Sequence, residues 1–538
     1  MAALRTHLSL LESSAIKHGS LPALKIPSND SSGAIWKDVT FSQLHKDVET
    51  CARYWAHELS SKGWERHSVV GIWLKGTTYS DLLQILGISR AGFTPQLMSI
   101  RMPNPLVVYE ILHRAGAVAL IADRSFASLL MDSPFPVFFS PDLSARGLDA
   151  LPELPPLTPS LDPDHTMMIF HTSGSTSGSP KLVPLSVKWI DFAITKTNQV
   201  KVPLPSEKQQ VVSAGGSFCH MASYLLLLAY FDRGGCIIVP TQMPYSSHEL
   251  QQMVSQCGLT MLNIFTSFLS KFFDESRQDP ALLITLKGIE DIYCSGLPLS
   301  SDAENWAWKQ DIRLTNSFAC TEVGITMLSK GFDENNQLSV QPLDGTGYEF
   351  VPISDDEDSP DQTLVELVVP PASADCPDVS LRNAETGKFH TGDLFEEVLP
   401  GRYLGRGRTD DWIKMEGAFR CDTSSIEANA MQTCGKDLIE AAVVIGSERP
   451  TPVLIVEPRD VDGAPMAESA NEPLKKEILQ RIKPFSDRCY LHERIDDVRC
   501  ILVAPRGSLP RTATKGNIRK KLVEREYQAQ LDQIFSTS

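Results

Sequence analysis

The chain has no Cys-x-x-Cys pair, no block of lysine and arginine, and no long uninterrupted apolar stretch. Each absence excludes something. Eleven cysteines are scattered from Cys51 to Cys500, and an odd number without paired spacing is the usage of reduced thiols, not of a disulfide framework or a structural zinc site. The formal charge is −16 over 538 residues; without a basic stripe there is nothing to neutralise a nucleic-acid backbone, so a nucleotide would need a local positive pocket. The strongest apolar run, 224–231, falls well short of the roughly 20 residues of a membrane helix. The first twenty residues lack the apolar segment of a secretory signal, and the terminal Ser-Thr-Ser is not a peroxisomal address. These absences lead to the expectation of a cytoplasmic enzyme with neither a membrane nor a nucleic acid as partner.

What the chain does have is a dense cluster of glycine, hydroxyl side chains and one lysine. Residues 171–181 read His-Thr-Ser-Gly-Ser-Thr-Ser-Gly-Ser-Pro-Lys and follow the apolar run Met167-Met168-Ile169-Phe170. Glycines let backbone N–H groups approach an anion, Ser and Thr hydroxyls add donors, and a lysine supplies countercharge. That chemistry suits a nucleotide triphosphate. The spacing differs from a P-loop, which has four residues between its glycines and a lysine directly after the second. Here three residues separate Gly174 from Gly178, and Lys181 follows Pro180. Composition alone would equally describe a flexible loop.

Around this segment, helical and strand patterns alternate. Leu44, Val48, Cys51, Ala52, Trp55, Ala56 and Leu59 mark one face of a helix, and 69–73 is a short apolar strand. Residues 81–91 read as a helix and 117–122 as a buried strand; beyond the glycine-rich loop, 223–231 is helical while 236–239 and 261–265 are strands. Such alternation predicts parallel α/β units. After Gly331 the texture turns to Gly, Asp and Pro with strands such as 364–369, and 354–358 reads as a solvated acidic loop. Beyond Arg408 comes a stretch of domain size, with a strand at 441–445 and a loop at 458–472. The expected fold class is α/β: a large N-terminal domain of two α/β subdomains plus a small β subdomain (1–409), followed by a smaller, mobile α+β C-terminal domain (410–538).

The loop Thr172-Ser173-Gly174-Ser175-Thr176-Ser177-Gly178-Ser179-Pro180-Lys181 resembles the signature TSG[ST]TG-x-PK of the adenylate-forming enzymes, the acyl-CoA synthetases, luciferases and peptide-synthetase adenylation domains, with Ser177 as an extra residue. Further segments resemble that family's motifs in the same order: Asn316-Ser317-Phe318-Ala319-Cys320-Thr321-Glu322 against N-x-Y-G-x-T-E, Thr391-Gly392-Asp393 against TGD, and 407–414 against G-R-x-D-D-x-[IV]-K, which it matches at every specified position. Near the end, Pro510-Arg511-Thr512-Ala513-Thr514-Lys515-Gly516 resembles PRT-x-[ST]-G-K with glycine and lysine exchanged. Without its neighbours, the 316–322 segment would pass for a capped helix start and TGD for a tight turn. The segment 415–420 before Ile426-Glu427 is one residue longer than the family pattern.

The resemblance implies ATP and Mg2+ as cofactors and a small carboxylic acid as substrate, joined to AMP and then passed to a thiol. It assigns Thr172, Ser173, Gly174, Ser175, Thr176, Gly178 and Lys181 to the triphosphate, and Ser295, Gly296, Asn316, Ser317, Phe318 and Ala319 to the adenosine. Thr321 falls beside phosphate, Glu322 on the metal, and Asp393 and Arg408 on the ribose, with Lys414 just beyond. Asp410 is the hinge, and Lys515 the catalytic lysine that neutralises the approach of carboxylate to phosphate; the nearby Lys520 and Lys521 are the alternatives. Phe218, His220 and Phe265 are expected in the acyl pocket, where Cys219 stands in place of the aspartate with which amino-acid-activating relatives bind ammonium. The chain ends soon after Lys515, so the expected thiol is coenzyme A. Alternatives are the thiol of a separate carrier protein, an amine, or a degenerate protein that binds nucleotide without catalysis.

Overall fold

The computed structural model describes residues 3–28, 35–98, 105–141, 143, 151–157, 162–172, 180–200, 208–296, 299–353, 364–408, 412–415, 420–447, 449–459, 471–487, 489, 493–511 and 518–536. Its backbone forms two compact units: residues 1–172, 180–391 and 396–405, and then 406–538, with which 392–395 cluster.

The first unit carries two large sheets. One has six strands in the order Val137–Phe139, Ala117–Ala122, Val69–Trp73, Thr94–Leu97, Thr166–Thr172, Lys181–Ser186. Its first five strands run parallel and the last returns antiparallel. Val69–Trp73 and Ala117–Ala122 are legible as short apolar runs because parallel strands are covered on both faces. The helix Phe41–Ser60 packs on this sheet through Phe41, Leu44, Val48, Cys51, Ala52, Trp55 and Leu59, all buried, and Thr40 caps its start by accepting from the Gln43 N–H. Its neighbour Tyr79–Arg90 comes close enough that a Cβ on Gly87 would lie 2.6 Å from the Cys51 sulfur. Trp55, fully buried, donates from its indole to Gln84 Oε1 at 2.6 Å; truncating such a side chain costs about 3–5 kcal/mol.

The other sheet has thirteen strands. One half is parallel and helix-covered: Pro22–Pro27, Cys236–Ile238, Val211–Ser213, Met261–Phe265, Asp291–Ser295 and Leu314–Cys320 lie side by side. The strands expected as a small β subdomain continue this same sheet, turning antiparallel at Gly324–Ser329 and running on through Val340–Pro342. Leu364–Val369 and Phe389–Leu399 lie farther along it. The acidic segment 354–358 lies outside the described residues.

The second unit builds a three-stranded sheet from Ile439–Ile445, Val453–Pro458 and Ile501–Val503. Helices Thr423–Cys434 and Asn471–Ser486 contribute Ile426, Ala430, Leu474 and Ile478 to its core. The expected loop at 458–472 is shorter at its far end, because the helix begins at Asn471.

Candidate active site

The glycine-rich loop is a hairpin connection between two strands of the six-stranded sheet. Thr172 pairs with Lys181, His171 with Leu182 and Phe170 with Val183. The register runs unbroken from Met168 to Thr172 on one strand and from Lys181 to Leu185 on the other; Ser177 lies outside the described residues. Lys181 is exposed at the start of its strand, while Ser173, Gly174, Ser175, Thr176 and Gly178 lie outside the described residues. The second strand leads directly into the helix Val187–Thr197, capped by Ser186.

That helix is tied to the second motif. Asn316 to Cys320 is strand, not a capped helix: Leu314–Cys320 pairs in parallel with Asp291–Ser295 and in antiparallel with Gly324–Ser329. Thr321 and Glu322 form the turn between the two antiparallel strands. Trp189 donates from its indole to the Glu322 carbonyl at 3.2 Å, and its ring lies against Gly324, where a Cβ would meet it at 3.4 Å. Two turns of helix further on, Lys196 donates to the Val323 carbonyl at 2.6 Å and pairs with Asp375 at 2.6 Å. The Asp375 carboxylate also accepts from Tyr348 and Ser373, each at 2.5 Å. Lys196 and Asp375 are both fully buried, and burial pulls the lysine below its ordinary range against the pull of Asp375. The turn is therefore held from behind by a completed polar cluster.

In front of it the polar groups are unsatisfied. Among the described residues the Glu322 carboxylate and the Thr321 hydroxyl, both half-buried, make no hydrogen bond or ion pair. A single free carboxylate beside a hydroxyl fits Mg2+, which takes one or two carboxylates and completes its shell with phosphate oxygens and water.

At the carboxyl ends of the parallel strands of the same unit lies a cavity lined by Gly215, Gly216, Ala222, Ser223, Asn263, Ile264, Phe265 and Ser295. This is where open α/β sheets place ligands. The strand register aligns Phe265 with Ser295 and Ser295 with Ser317. Gly296, at φ 107°, turns the chain out of the strand, and a Cβ there would lie 3.5 Å from the Phe265 ring. His220 caps the helix Met221–Arg233 and meets Phe265 edge-on, centroids 6.1 Å apart. Phe218 is placed otherwise than expected: it is 2% exposed, belongs to the main core, and its N–H donates to the Gly76 carbonyl at 2.6 Å. Sequence reasoning missed Ser223, Asn263 and the pair Gly215-Gly216. The one signal available was a polar residue inside the otherwise apolar strand 261–265.

The remaining motifs are less gathered. Asp393 is buried on Phe389–Leu399, four strands along the same sheet from Leu314–Cys320. Arg408 ends the strand Arg402–Arg408, and Lys414 pairs with Arg420 in a two-stranded ribbon; their backbones alone are described, and Asp410 lies outside the described residues. Lys515 also lies outside them, but the base of its segment is fixed. Arg511 bridges Ile518, and the buried Glu457 carboxylate accepts from Arg511 at 2.5 Å and from the Leu509 N–H at 2.8 Å. Lys520 is engaged elsewhere, donating to Thr423 Oγ1 at 2.7 Å and lying 3.1 Å from Glu427.

Two family profiles match the chain, AMP-binding enzyme over residues 11–366 and AMP-binding enzyme C-terminal domain over 410–538. The chain belongs to the AMP-binding, adenylate-forming enzymes. Among its relatives is the AMP-binding domain-containing enzyme iboA of Amanita muscaria, 32% identical over 521 residues that cover 94% of this chain and 98% of that one. The nonribosomal peptide synthetase fmqA of Aspergillus fumigatus is 23% identical over 77% of this chain, which spans 11% of that protein. The fold is also that of the o-succinylbenzoate CoA synthetase of Bacillus subtilis. Its complex with the acyl-adenylate OSB-AMP superposes with a TM-score of 0.72 at 15% identity, covering 96% of this chain and 97% of that one. Membership in this family accounts for the two-part architecture. Among the described residues no helix is long and apolar enough to cross a membrane, and all eleven cysteines are free.

Proposed function

We propose that this AMP-binding enzyme uses Mg-ATP to convert a carboxylic acid to its acyl-adenylate with release of pyrophosphate, and then transfers the acyl group to a thiol. The observation that supports it best is the presence in one unit of a cavity at the strand ends and of the Thr321–Glu322 turn, held from behind by Trp189 and Lys196 with its own side chains left free. In this reading Thr172, Lys181 and the residues between them bind the triphosphate. Glu322 holds the metal, Thr321 donates to phosphate, and Ser295, Gly296 and 316–319 flank adenosine. Asp393 and Arg408 take the ribose hydroxyls, with Lys414 beyond them. Phe265 and His220 border the acid, and Phe218 is left to the core. The C-terminal residues 410–538 form a domain that turns about Asp410 and brings Lys515 to the reacting carboxylate and α-phosphate. That lysine neutralises charge as two anions meet.

The thiol in our reading is coenzyme A, as for the o-succinylbenzoate CoA synthetase, and the setting is the cytoplasm. The peptide-synthetase relative gives a second reading, in which the acceptor is the thiol of a separate carrier protein. The test is carboxylate-dependent ATP–pyrophosphate exchange over a panel of aryl, short-chain and fatty acids, then mass spectrometry of the products with coenzyme A. Exchange with release of an acyl-CoA meets the proposal. Exchange without acyl-CoA turns it to the carrier or amine, and absence of exchange with every acid leaves a nucleotide-binding protein without this chemistry.

A further inference from the structure

The cavity discriminates by hydrogen bonding. Asn263 lies two residues before Phe265 on the same strand, and therefore on the same face of the sheet. Its backbone is already engaged, the N–H donating to Ser213 Oγ at 3.3 Å and the carbonyl accepting from it at 3.4 Å. Its carboxamide makes no hydrogen bond among the described residues. The carboxamide is packed against Gly215, where a Cβ would come 3.2 Å from Nδ2 and 3.0 Å from the Asn263 carbonyl, a tight fit. Across the cavity, a Cβ on Gly216 would lie 3.9 Å from Ser223 Oγ and 3.7 Å from the Phe265 ring. The Ser223 hydroxyl is likewise without a partner among the described residues, although the residue is 3% exposed.

A strand inside a parallel sheet ordinarily presents apolar side chains, yet Asn263 and Ser223 both line the cavity without a partner among the described residues. Two open hydrogen-bonding groups on one cavity point to a ligand that pairs with them. Among the described residues lining the cavity there is no Lys, Arg, His, Asp or Glu, so neither an ammonium nor a second carboxylate finds a countercharge in that lining. We infer that the acid is uncharged apart from the reacting carboxylate, and that its tail carries a hydroxyl, carbonyl or carboxamide read by Asn263 and Ser223. This rests on the acid-activating reading above.

The experiment uses the full chain and acid-dependent ATP–pyrophosphate exchange with matched pairs: 4-hydroxybenzoate against 4-methylbenzoate, and succinamate against 4-methylpentanoate. Decanoate, glutarate and 4-aminobutyrate represent the apolar, anionic and cationic classes. In at least one pair kcat/KM for the hydrogen-bonding acid exceeds that of its methyl isostere by about tenfold or more, and Asn263→Leu moves that ratio to near one or below. A ratio is read within one preparation, so partial misfolding of the variant does not imitate the result; Ser223→Ala gives a second reading of it. The inference is overturned if the methyl isosteres, decanoate or either charged acid is preferred, or if neither substitution moves the ratio. Exchange with an acid of the wrong class removes this inference alone, whereas no exchange with any acid removes the acid-activating reading as well.

Discussion

Two sets of polar groups in the first unit differ in one respect. Behind the 321–323 turn, Lys196, Asp375, Tyr348, Ser373 and the Val323 carbonyl satisfy one another. Thr321 and Glu322 on the turn, and Asn263 and Ser223 at the cavity, make no side-chain hydrogen bond among the described residues. Both regions use ordinary polar residues in partly or wholly buried places, where an unpaired group is costly. The difference separates architecture from site: polar groups completed within the protein set geometry, and those left over await a ligand. A buried lysine can therefore be the less functional one. Lys196 is walled in, whereas Lys181, fifteen positions earlier, is exposed at the rim of the glycine-rich loop.

The largest effect should come from opening the completed side. Asp375→Ala leaves Lys196 charged and buried without its partner, which costs about 3–5 kcal/mol, read as a lower urea midpoint. Replacing the pair together with Lys196→Met and Asp375→Leu should recover most of that loss, since no charge is then stranded. If the double variant is as unstable as the single one, the cost lies in the unpaired Tyr348 and Ser373 hydroxyls and the Val323 carbonyl rather than in the stranded charge.

Next comes the lysine assigned to the open side. Lys515→Ala should lower acid-dependent exchange by about 10²–10³-fold while leaving the unfolding midpoint within experimental scatter. Loss of stability in place of activity would make 512–517 a structural segment.

A smaller effect separates the completed class from solvent. His7 is fully buried, with Ser89 Oγ 2.8 Å from Nε2 and the Tyr224 hydroxyl 3.0 Å from Nδ1; burial lowers its pKa to about 4. The ring is therefore neutral in the folded state, one nitrogen donating and the other accepting. Because the folded value is lower, the unfolded chain binds the proton first. The stabilisation is present in full above about 6.5 and is lost as pH falls from there to about 4, amounting to about 3 kcal/mol. His7→Gln should flatten that part of the pH–stability curve; an unchanged curve would assign the acid sensitivity elsewhere.

How much of this was legible in the sequence depended on whether the deciding contacts were local. Val69–Trp73, Ala117–Ala122, Met261–Phe265 and Leu364–Val369 coincide with the expected strands, because apolar β-branched runs have few other places to go. The 316–322 motif reads locally as a capped helix, yet the register of Ser317 against Ser295 and Leu328 makes it a strand; tertiary pairing overrides local propensity. Phe218 beside a histidine suggested a pocket wall, but its backbone bond to Gly76, far away in sequence, turns the ring inward. Lys196 carried a partial signal, since it follows Trp189 and Ala193 on the buried stripe of its helix. Its partner at position 375 could not be read without the fold.

The finest test distinguishes two neighbouring lysines. Lys520 and Lys515 lie in the same basic stretch, and charge alone would let either neutralise the reacting groups. Lys520, however, belongs to the completed class: its ammonium meets Thr423 Oγ1 at 2.7 Å and Glu427 at 3.1 Å. Glu427 in turn accepts from the Val444 N–H at 2.7 Å, so the lysine ties helix Lys520–Glu526 to helix Thr423–Cys434 and the strand behind it. Such a partly buried pair stabilises by about 1 kcal/mol, and reaching a substrate would mean giving it up. Lys520→Ala should therefore lower the unfolding midpoint slightly and leave acid-dependent exchange unchanged, while Lys520→Arg restores the midpoint. If Lys520→Ala abolishes exchange and Lys515→Ala does not, the catalytic charge sits five residues later than assigned, and the rule that paired groups are architectural fails at this site.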